Sequence, residues 1–395
     1  MNKPDLRPVS AEHLRWLRSE LDYFTAAQVI SRESADAVLA SYAEPSARFS
    51  LIRLALALGG TFAGIGVIWL VAANLDQLSP LARFALVTAL WLISLGVVWW
   101  LDQRRPGPLV EVAQGVSALA FGAVIMQSAQ SLQVPAYTPA LVGCWSIGAF
   151  ALAYLARGLA PLLVGLITGV IWLVWLLGER ADGPQPVAIG FLVAGAIAAA
   201  AAHLHHIHAP LRFSTPWRLV GAGLSLIGLF IACVPTDQIG MADWTLPMIA
   251  AVAVAALVAI AATVSTRVDG VQRFEPVAGL AVLAVGAGLG SWVSGNNPSH
   301  VTVNDWAHSG VAVVCYVAAC VWFAVVAILR KSTLLMTLAV LGLVLFVTFQ
   351  SFAVFARLIQ GGWLFVVLGV VFVVTGLLAE RGRRELAEAI EGTSA

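Results

Sequence analysis

Long runs of apolar residues alternate with short polar breaks along most of the chain. Each run approaches the roughly 20 residues that a helix needs to cross a hydrocarbon core of about 30 Å. Lipid offers no hydrogen bonds to an open backbone, and the alternating pattern of a barrel strand is absent, so helices are expected. We predict twelve spans, near residues 54–73, 81–101, 110–131, 138–156, 159–177, 187–203, 217–234, 245–264, 277–294, 309–329, 333–352 and 361–380.

Turn-forming stretches rich in proline and glycine supply the breaks, for example at Arg104–Pro108 and Asp182–Pro186. The predicted fold class is therefore all-α: a polytopic transmembrane helical bundle of about twelve spans with a short N-terminal helical hairpin. In domain terms, residues 1–50 form a cytoplasmic amphipathic region, residues 51–380 the transmembrane domain, and residues 381–395 a cytoplasmic tail.

Composition agrees with a membrane protein. The 395 residues are 60% hydrophobic and only 11% charged, with a mean hydropathy of +0.90. Soluble domains are about 45–50% apolar and about 25% charged. The formal net charge of +1 gives no field that would attract nucleic acid, so nucleic acid is not expected as a partner.

The distribution of basic residues predicts the orientation. Lys and Arg concentrate on cytoplasmic loops because they resist translocation. With both ends in the cytoplasm, all but three of the 22 Lys and Arg residues fall on that side, the exceptions being Arg83, Arg180 and Arg357. An error in the number of spans would disrupt this alternation, so it supports an even count.

Residues 10–43 predict two short helices outside the membrane. Ser10 can cap the first helix and Ser31 can open the second. Thr25 with Gln28 resembles a capping box. Two interpretations remain open: a surface hairpin that packs on the membrane domain, or an element that docks a protein partner or a second copy of the chain.

The third predicted span is the most polar. Gln127 and Gln130 lie three residues apart on one helix face, and Gln114 lies near the cytoplasmic end. Such amides either link helices, for about 1 kcal/mol each, or line an outward-facing cavity. Together with Asn74, which follows the first span, they form the candidate polar pathway of a transport function.

Few other residues suggest chemistry. The middle of every predicted span lacks ionisable side chains, which counts against a carrier coupled to protons or sodium. The histidines of residues 203–208 have no accompanying cysteine or carboxylate, which favours a solvated loop over a metal site. Residues 296–308 are expected to form the longest polar loop outside. We predict no catalytic, cofactor-binding or metal-binding residue, no cofactor, and no enzyme activity.

Three stretches in the first half of the chain resemble a known family. They are Val29–Glu33, Gly64–Ile68 leading into Ala72–Ser79, and Gly122–Gln130 followed by Trp145. They resemble an uncharacterised bacterial family of integral membrane proteins, domain of unknown function 2157, although Leu75 stands where that family usually has Trp. The resemblance implies a multi-pass protein of the bacterial inner membrane. It carries no established activity, so it transfers no catalytic residue.

Two functions from different classes remain. The first is a transporter-like or flippase-like protein for a neutral or lipidic small molecule, with Asn74, Gln114, Gln127 and Gln130 along its path. The second is a non-catalytic membrane scaffold or assembly partner, recruited through residues 10–43. Membrane lipids are the expected surroundings in both cases, and a homo-oligomer is left open.

Overall fold

The computed structural model describes residues 7–8, 11–43, 79–104, 107–133, 137–207, 211–234, 244–264, 274–293 and 302–358, with scattered single positions besides. This part of the chain is helical, apart from a two-residue parallel pairing of β1 (Arg7–Pro8) with β2 (Tyr42–Ala43). The helices are α1 (Ala11–Ala26), α2 (Arg32–Ala40), α3 (Pro80–Arg104), α4 (Pro108–Ser131), α5 (Pro139–Ala156), α6 (Leu159–Arg180), α7 (Pro184–Ile207), α8 (Ser214–Ala232), α9 (Leu246–Val264), α10 (Glu275–Gly290), α11 (Val303–Leu329) and α12 (Thr333–Leu358). A short 3₁₀ helix, Leu211–Phe213, precedes α8.

Nine of the helices in the described ranges are long and apolar enough to cross a membrane, namely α3 to α9, α11 and α12. Helix α10 is apolar but has only 16 residues. The predicted fold class, a polytopic helical membrane bundle, is confirmed. The orientation and the number of spans stay predictions, and the first and last predicted spans, 54–73 and 361–380, lie almost entirely outside the described residues.

Helix α11 extends beyond the span predicted in the same part of the sequence. The sequence pattern placed the tenth span at 309–329, whereas α11 begins at Val303. Thr302 and Asp305 form a capping box there: Asp305 N donates to Thr302 Oγ1 (3.3 Å), and Thr302 N donates to Asp305 Oδ2 (2.7 Å). This cap starts the helix inside the stretch predicted as an outer polar loop.

The N-terminal pair of helices is observed as predicted, with one correction. Ser31 caps α2, because its Oγ accepts from Ser34 N at 3.2 Å. Thr25, however, lies within the last turn of α1 and donates its hydroxyl to Leu21 O (2.7 Å). The predicted capping box at Thr25 is therefore wrong. Ala35 of α2 is buried within the pair.

The chain separates into two compact units, residues 1–134 and 135–395. In the first, α3 and α4 form an antiparallel hairpin. Ser94 Oγ donates to Ser117 Oγ across the two helices (3.0 Å), and the rings of Trp91 and Phe121 lie 5.0 Å apart. Between lipid-exposed helices, contacts of this kind replace the hydrophobic effect as the source of association.

The second unit is built around α7, which contacts α8, α9 and α10. Gly195 of α7 crosses close to α8: a Cβ at this position would lie 2.9 Å from Ser225 N and 3.1 Å from Gly221 O. Helices this close gain van der Waals contact along their whole crossing, which is the main source of packing energy in lipid. The close crossing also brings the ends of α7 and α8 together at the side chains described next.

Candidate functional site: a buried arginine–glutamate cluster

Several helix ends of the second unit meet at one end of the bundle. They are the end of α7, the start of α8, the start of α10 and the end of α11. The charge distribution predicts that this end faces the cytoplasm. Four side chains from these helix ends contact one another there, namely Arg218, Glu275, Arg330 and His206, and we call them the arginine–glutamate cluster.

Glu275, the first residue of α10, lies between the two arginines. Its Oε2 accepts from Arg218 Nε of α8 at 3.1 Å. Its Oε1 accepts from Arg330 Nε at 2.8 Å and from Arg330 Nη2 at 2.6 Å. The three side chains are only 8–10% exposed. One carboxylate thus bridges two arginines in a site from which most water is excluded.

His206, in the last turn of α7, extends the cluster. Its Nε2 lies 2.5 Å from Arg330 Nη1. A guanidinium group only donates, so Nε2 is the acceptor and the ring is neutral in this arrangement. One turn earlier, His203 is fully buried, and neither of its ring nitrogens makes a hydrogen bond with a described residue.

A cavity of about 190 Å³, here called the cluster cavity, opens beside these side chains. One water molecule needs only about 10–15 Å³ of such space, so the cavity has room for a group much larger than a single water molecule. Its lining is largely polar: His206, Ser214, Thr215, Arg218, Leu219, Arg330, Ser332 and Leu335. A second, smaller cavity of about 30 Å³ lies against Arg218 and Glu275 on the side of α10.

The helix ends add to the positive character of the cluster cavity. Ser214 is the first residue of α8, and Ser332 precedes α12, where its Oγ accepts from Leu335 N (3.3 Å). Both helices therefore begin at the cavity wall. The amino-terminal end of a helix carries a partial positive charge and unpaired N–H groups, which favour anions.

The structure does not bring the candidate polar pathway into one group. Gln114 is buried in α4, Gln127 is half-buried and Gln130 is exposed. Thirteen residues separate Gln114 from Gln127, which is about 20 Å along a helix. Gln127 Nε2 lies 3.4 Å from Ser131 Oγ near the opposite end of α4. Asn74 lies outside the described residues, so the pathway stays a prediction.

Two loop interpretations are wrong. Residues 203–207, predicted as part of a solvated loop, form the end of α7, and His205 Nδ1 lies 2.7 Å from Ala201 O. The apolar run simply continues as a helix to Ile207. His308, assigned to an outer loop, is buried in α11, with its ring against Trp292.

Sequence reasoning missed the arginine–glutamate cluster. Arg218 and Glu275 are 57 positions apart, and Arg330 follows after another 55. Each residue lies at a helix end, where a charge is expected to reach the headgroup region. Only the packing of the helices that carry them brings them together, and no local spacing in the sequence signals that. Among the described residues, no group of three or more His, Cys, Asp or Glu side chains could hold a metal ion.

Taken together, these helices define an integral membrane protein of the multi-pass, all-helical class. Residues 22–162 match the model of a family described as "Predicted membrane protein (DUF2157)", which confirms the resemblance to that family over this range. No curated protein and no solved structure matches the chain. The arginine–glutamate cluster lies outside the matched range, so its role must be argued from its own geometry.

Proposed function

We propose that this protein is a flippase-like lipid-handling protein of the bacterial cytoplasmic membrane. The observation that carries the proposal is the arginine–glutamate cluster beside the cluster cavity, at one end of an otherwise apolar bundle. The headgroup of a lipid could move from water into this polar site. The acyl chains of the same lipid would remain among the exposed apolar side chains of the helices. A basic pocket between transmembrane helices on the cytoplasmic side is a recurrent headgroup site.

The cluster favours a lipidic substrate over a neutral soluble one. The phosphate of a lipid headgroup can accept charge-assisted hydrogen bonds from the guanidinium groups of the lining, which are about twice as strong as those a neutral molecule would accept. The predicted spans also lack ionisable side chains at their middle, which counts against a carrier coupled to protons or sodium. Uncoupled movement of a lipid between leaflets fits both observations.

Reconstitution tests this function directly. The full chain is placed in vesicles of the host's total polar lipids that contain a trace of headgroup-labelled lipid, and the label reaching the opposite leaflet is followed by chemical quenching. The proposal expects translocation faster than in protein-free vesicles and in vesicles with an unrelated polytopic protein. Equal rates in all three preparations would refute it.

A second candidate function is a membrane scaffold that recruits a partner through α1 and α2. The observation in its favour is a set of exposed apolar side chains on and between these helices: Tyr23 is 68% exposed, Val29 67%, and Val38 and Phe24 40% each. Deleting residues 1–45 separates the two candidates. A scaffold loses complementation of a null strain on this deletion, whereas a lipid-handling protein retains translocation in vesicles.

A further inference from the structure

The lining of the cluster cavity identifies a class of ligand. We propose that this cavity binds a phosphate-type oxyanion, held by the guanidinium groups of Arg218 and Arg330. The inference rests on the proposed lipid-handling function and names the headgroup chemistry of that same site.

An unsatisfied donor is the first argument. Both carboxylate oxygens of Glu275 already accept hydrogen bonds from arginine. Nη2 of Arg218 is buried and makes no hydrogen bond with any residue that the structure describes. An oxyanion beside Arg218 would accept a charge-assisted hydrogen bond from this otherwise unsatisfied donor.

The arrangement of donors is the second argument. Arginine and hydroxyl side chains from two parts of the chain line the cavity: Ser214 and Thr215 at the start of α8, and Arg330 and Ser332 between α11 and α12. Ser332 Oγ accepts the bond that caps α12, so its own O–H can still donate. Several donors along one cavity suit a phosphate-type oxyanion, because each of its oxygens can accept hydrogen bonds.

The volume of the cavity and its setting are the third argument. About 190 Å³ lies open beside the arginines, and two helices begin at its wall. A guanidinium fork binds phosphate through two parallel hydrogen bonds. The phosphate can come from the headgroup of an anionic lipid or from a soluble phosphate, because both present the same oxygens to this site.

Binding is measured on the delipidated full chain in nanodiscs of phosphatidylcholine. One arm adds inorganic phosphate, and the other incorporates phosphatidic acid into the disc. The readouts are the rise in Tm, since a ligand that binds the folded state stabilises it, and retained phosphatidic acid in native mass spectrometry. The variants are Arg218→Gln, Arg330→Gln and Glu275→Gln, with Arg180→Gln as the matched control, because Arg180 is exposed at the opposite end of α6.

We expect each cluster arginine variant to weaken binding about tenfold or more, the typical effect of losing a charge-assisted hydrogen bond. Glu275→Gln is expected to tighten binding, because it removes the carboxylate that competes with the ligand for hydrogen bonds from the two arginines. A purely structural cluster would lose stability in all three variants without this opposite effect. If the arginine variants fail to fold, Thr215→Val replaces them, because Thr215 is exposed on the cavity wall. We expect this variant to weaken binding severalfold.

Each outcome decides the proposal. A response to phosphatidic acid alone identifies a lipid headgroup as the ligand, and a response to inorganic phosphate alone identifies a soluble phosphate. Failure of both ligands overturns the proposal, as does unchanged binding in Arg218→Gln, Arg330→Gln and Thr215→Val. Binding without translocation in vesicles would support the anion site and refute the proposed function. Translocation that these variants do not alter would support the proposed function and refute the role of this site.

Discussion

Glu275 Oε1 lies 2.6 Å from Nη2 of Arg330, although the two residues are 55 positions apart. The contact joins the start of α10 to the end of α11, and the bond from Glu275 to Arg218 adds the first turns of α8. A single carboxylate therefore holds three helices together at one end of the second unit. Removal of the Glu275 carboxylate is therefore expected to lower the stability of the fold, although it is expected to tighten the binding of an anion.

Glu275→Leu is expected to destabilise the protein by about 3–5 kcal/mol, the usual cost of leaving buried charges without their partner. Replacing all three charges together, as Arg218→Met, Glu275→Leu and Arg330→Met, should restore much of this loss, because no charge then stays buried. Unfolding of the full chain in mild detergent measures both values. A triple variant less stable than Glu275→Leu would contradict the prediction.

A second prediction concerns the close crossing of α7 and α8. Gly195→Ala would place a methyl group 2.9 Å from Ser225 N and 3.1 Å from Gly221 O, so backbone atoms must move apart. We expect a loss of about 1–3 kcal/mol, as for other overpacked interiors.

Gly178→Ala is the matched control for this prediction, because a Cβ at Gly178 would have no atom within 4 Å. Alanine is the better helix former by about 1 kcal/mol, so this variant should keep or gain stability. The same unfolding assay compares the two variants. Equal stability of Gly195→Ala and Gly178→Ala would show that α7 and α8 lie farther apart than the structure places them.

Hydropathy predicted most of the fold for a physical reason. A segment that crosses lipid must be apolar over about 20 residues, and this requirement leaves a mark in every window of the sequence. Helix α5 ends at Ala156 and α6 begins at Leu159, so the break at Arg157 and Gly158 falls where one apolar run of the sequence gives way to the next. The start of α11 was missed because the capping box of Thr302 and Asp305 lies within polar residues that resemble a loop.

The candidate site could not be predicted in the same way. Arg218 and Arg330 were used only as signs of orientation, since a basic residue at a span end is explained by the cytoplasmic side alone. Their contact with Glu275 depends on how three hairpins pack, which hydropathy does not encode. Gln350 of α12 was also overlooked, although it is only 6% exposed.

Gln350 gives a third prediction. Neither its Nε2 nor its Oε1 has a hydrogen-bond partner among the described residues, and an unsatisfied buried amide costs about 1–3 kcal/mol. Gln350→Leu should therefore keep or raise the stability of the full chain. The same change at Gln103, which is exposed near the end of α3, should have an effect within about 0.5 kcal/mol. A clear loss of stability in Gln350→Leu would mean that the amide is satisfied in the native protein.

A fourth prediction tests the polar pathway in the vesicle assay for lipid translocation. If Gln127 and Gln130 line a path for a headgroup, the double variant Gln127→Leu with Gln130→Leu should reduce the rate to the protein-free background, because two amide contacts are replaced by apolar side chains. Thr348→Val is the matched control, since Thr348 is half-buried like Gln127 and its hydroxyl already donates to Val344 O within its own helix.

Gln114→Leu distinguishes one continuous path from two separate polar sites. Gln114 lies about 20 Å from Gln127 along α4, so a path that spans the unit needs both positions, whereas an outer cavity needs only Gln127 and Gln130. Loss of translocation in Gln114→Leu as well as in the double variant supports a path along the whole helix. Wild-type rates in the double variant would remove these glutamines from the transport hypothesis and leave the arginine–glutamate cluster as the remaining candidate for contact with the lipid.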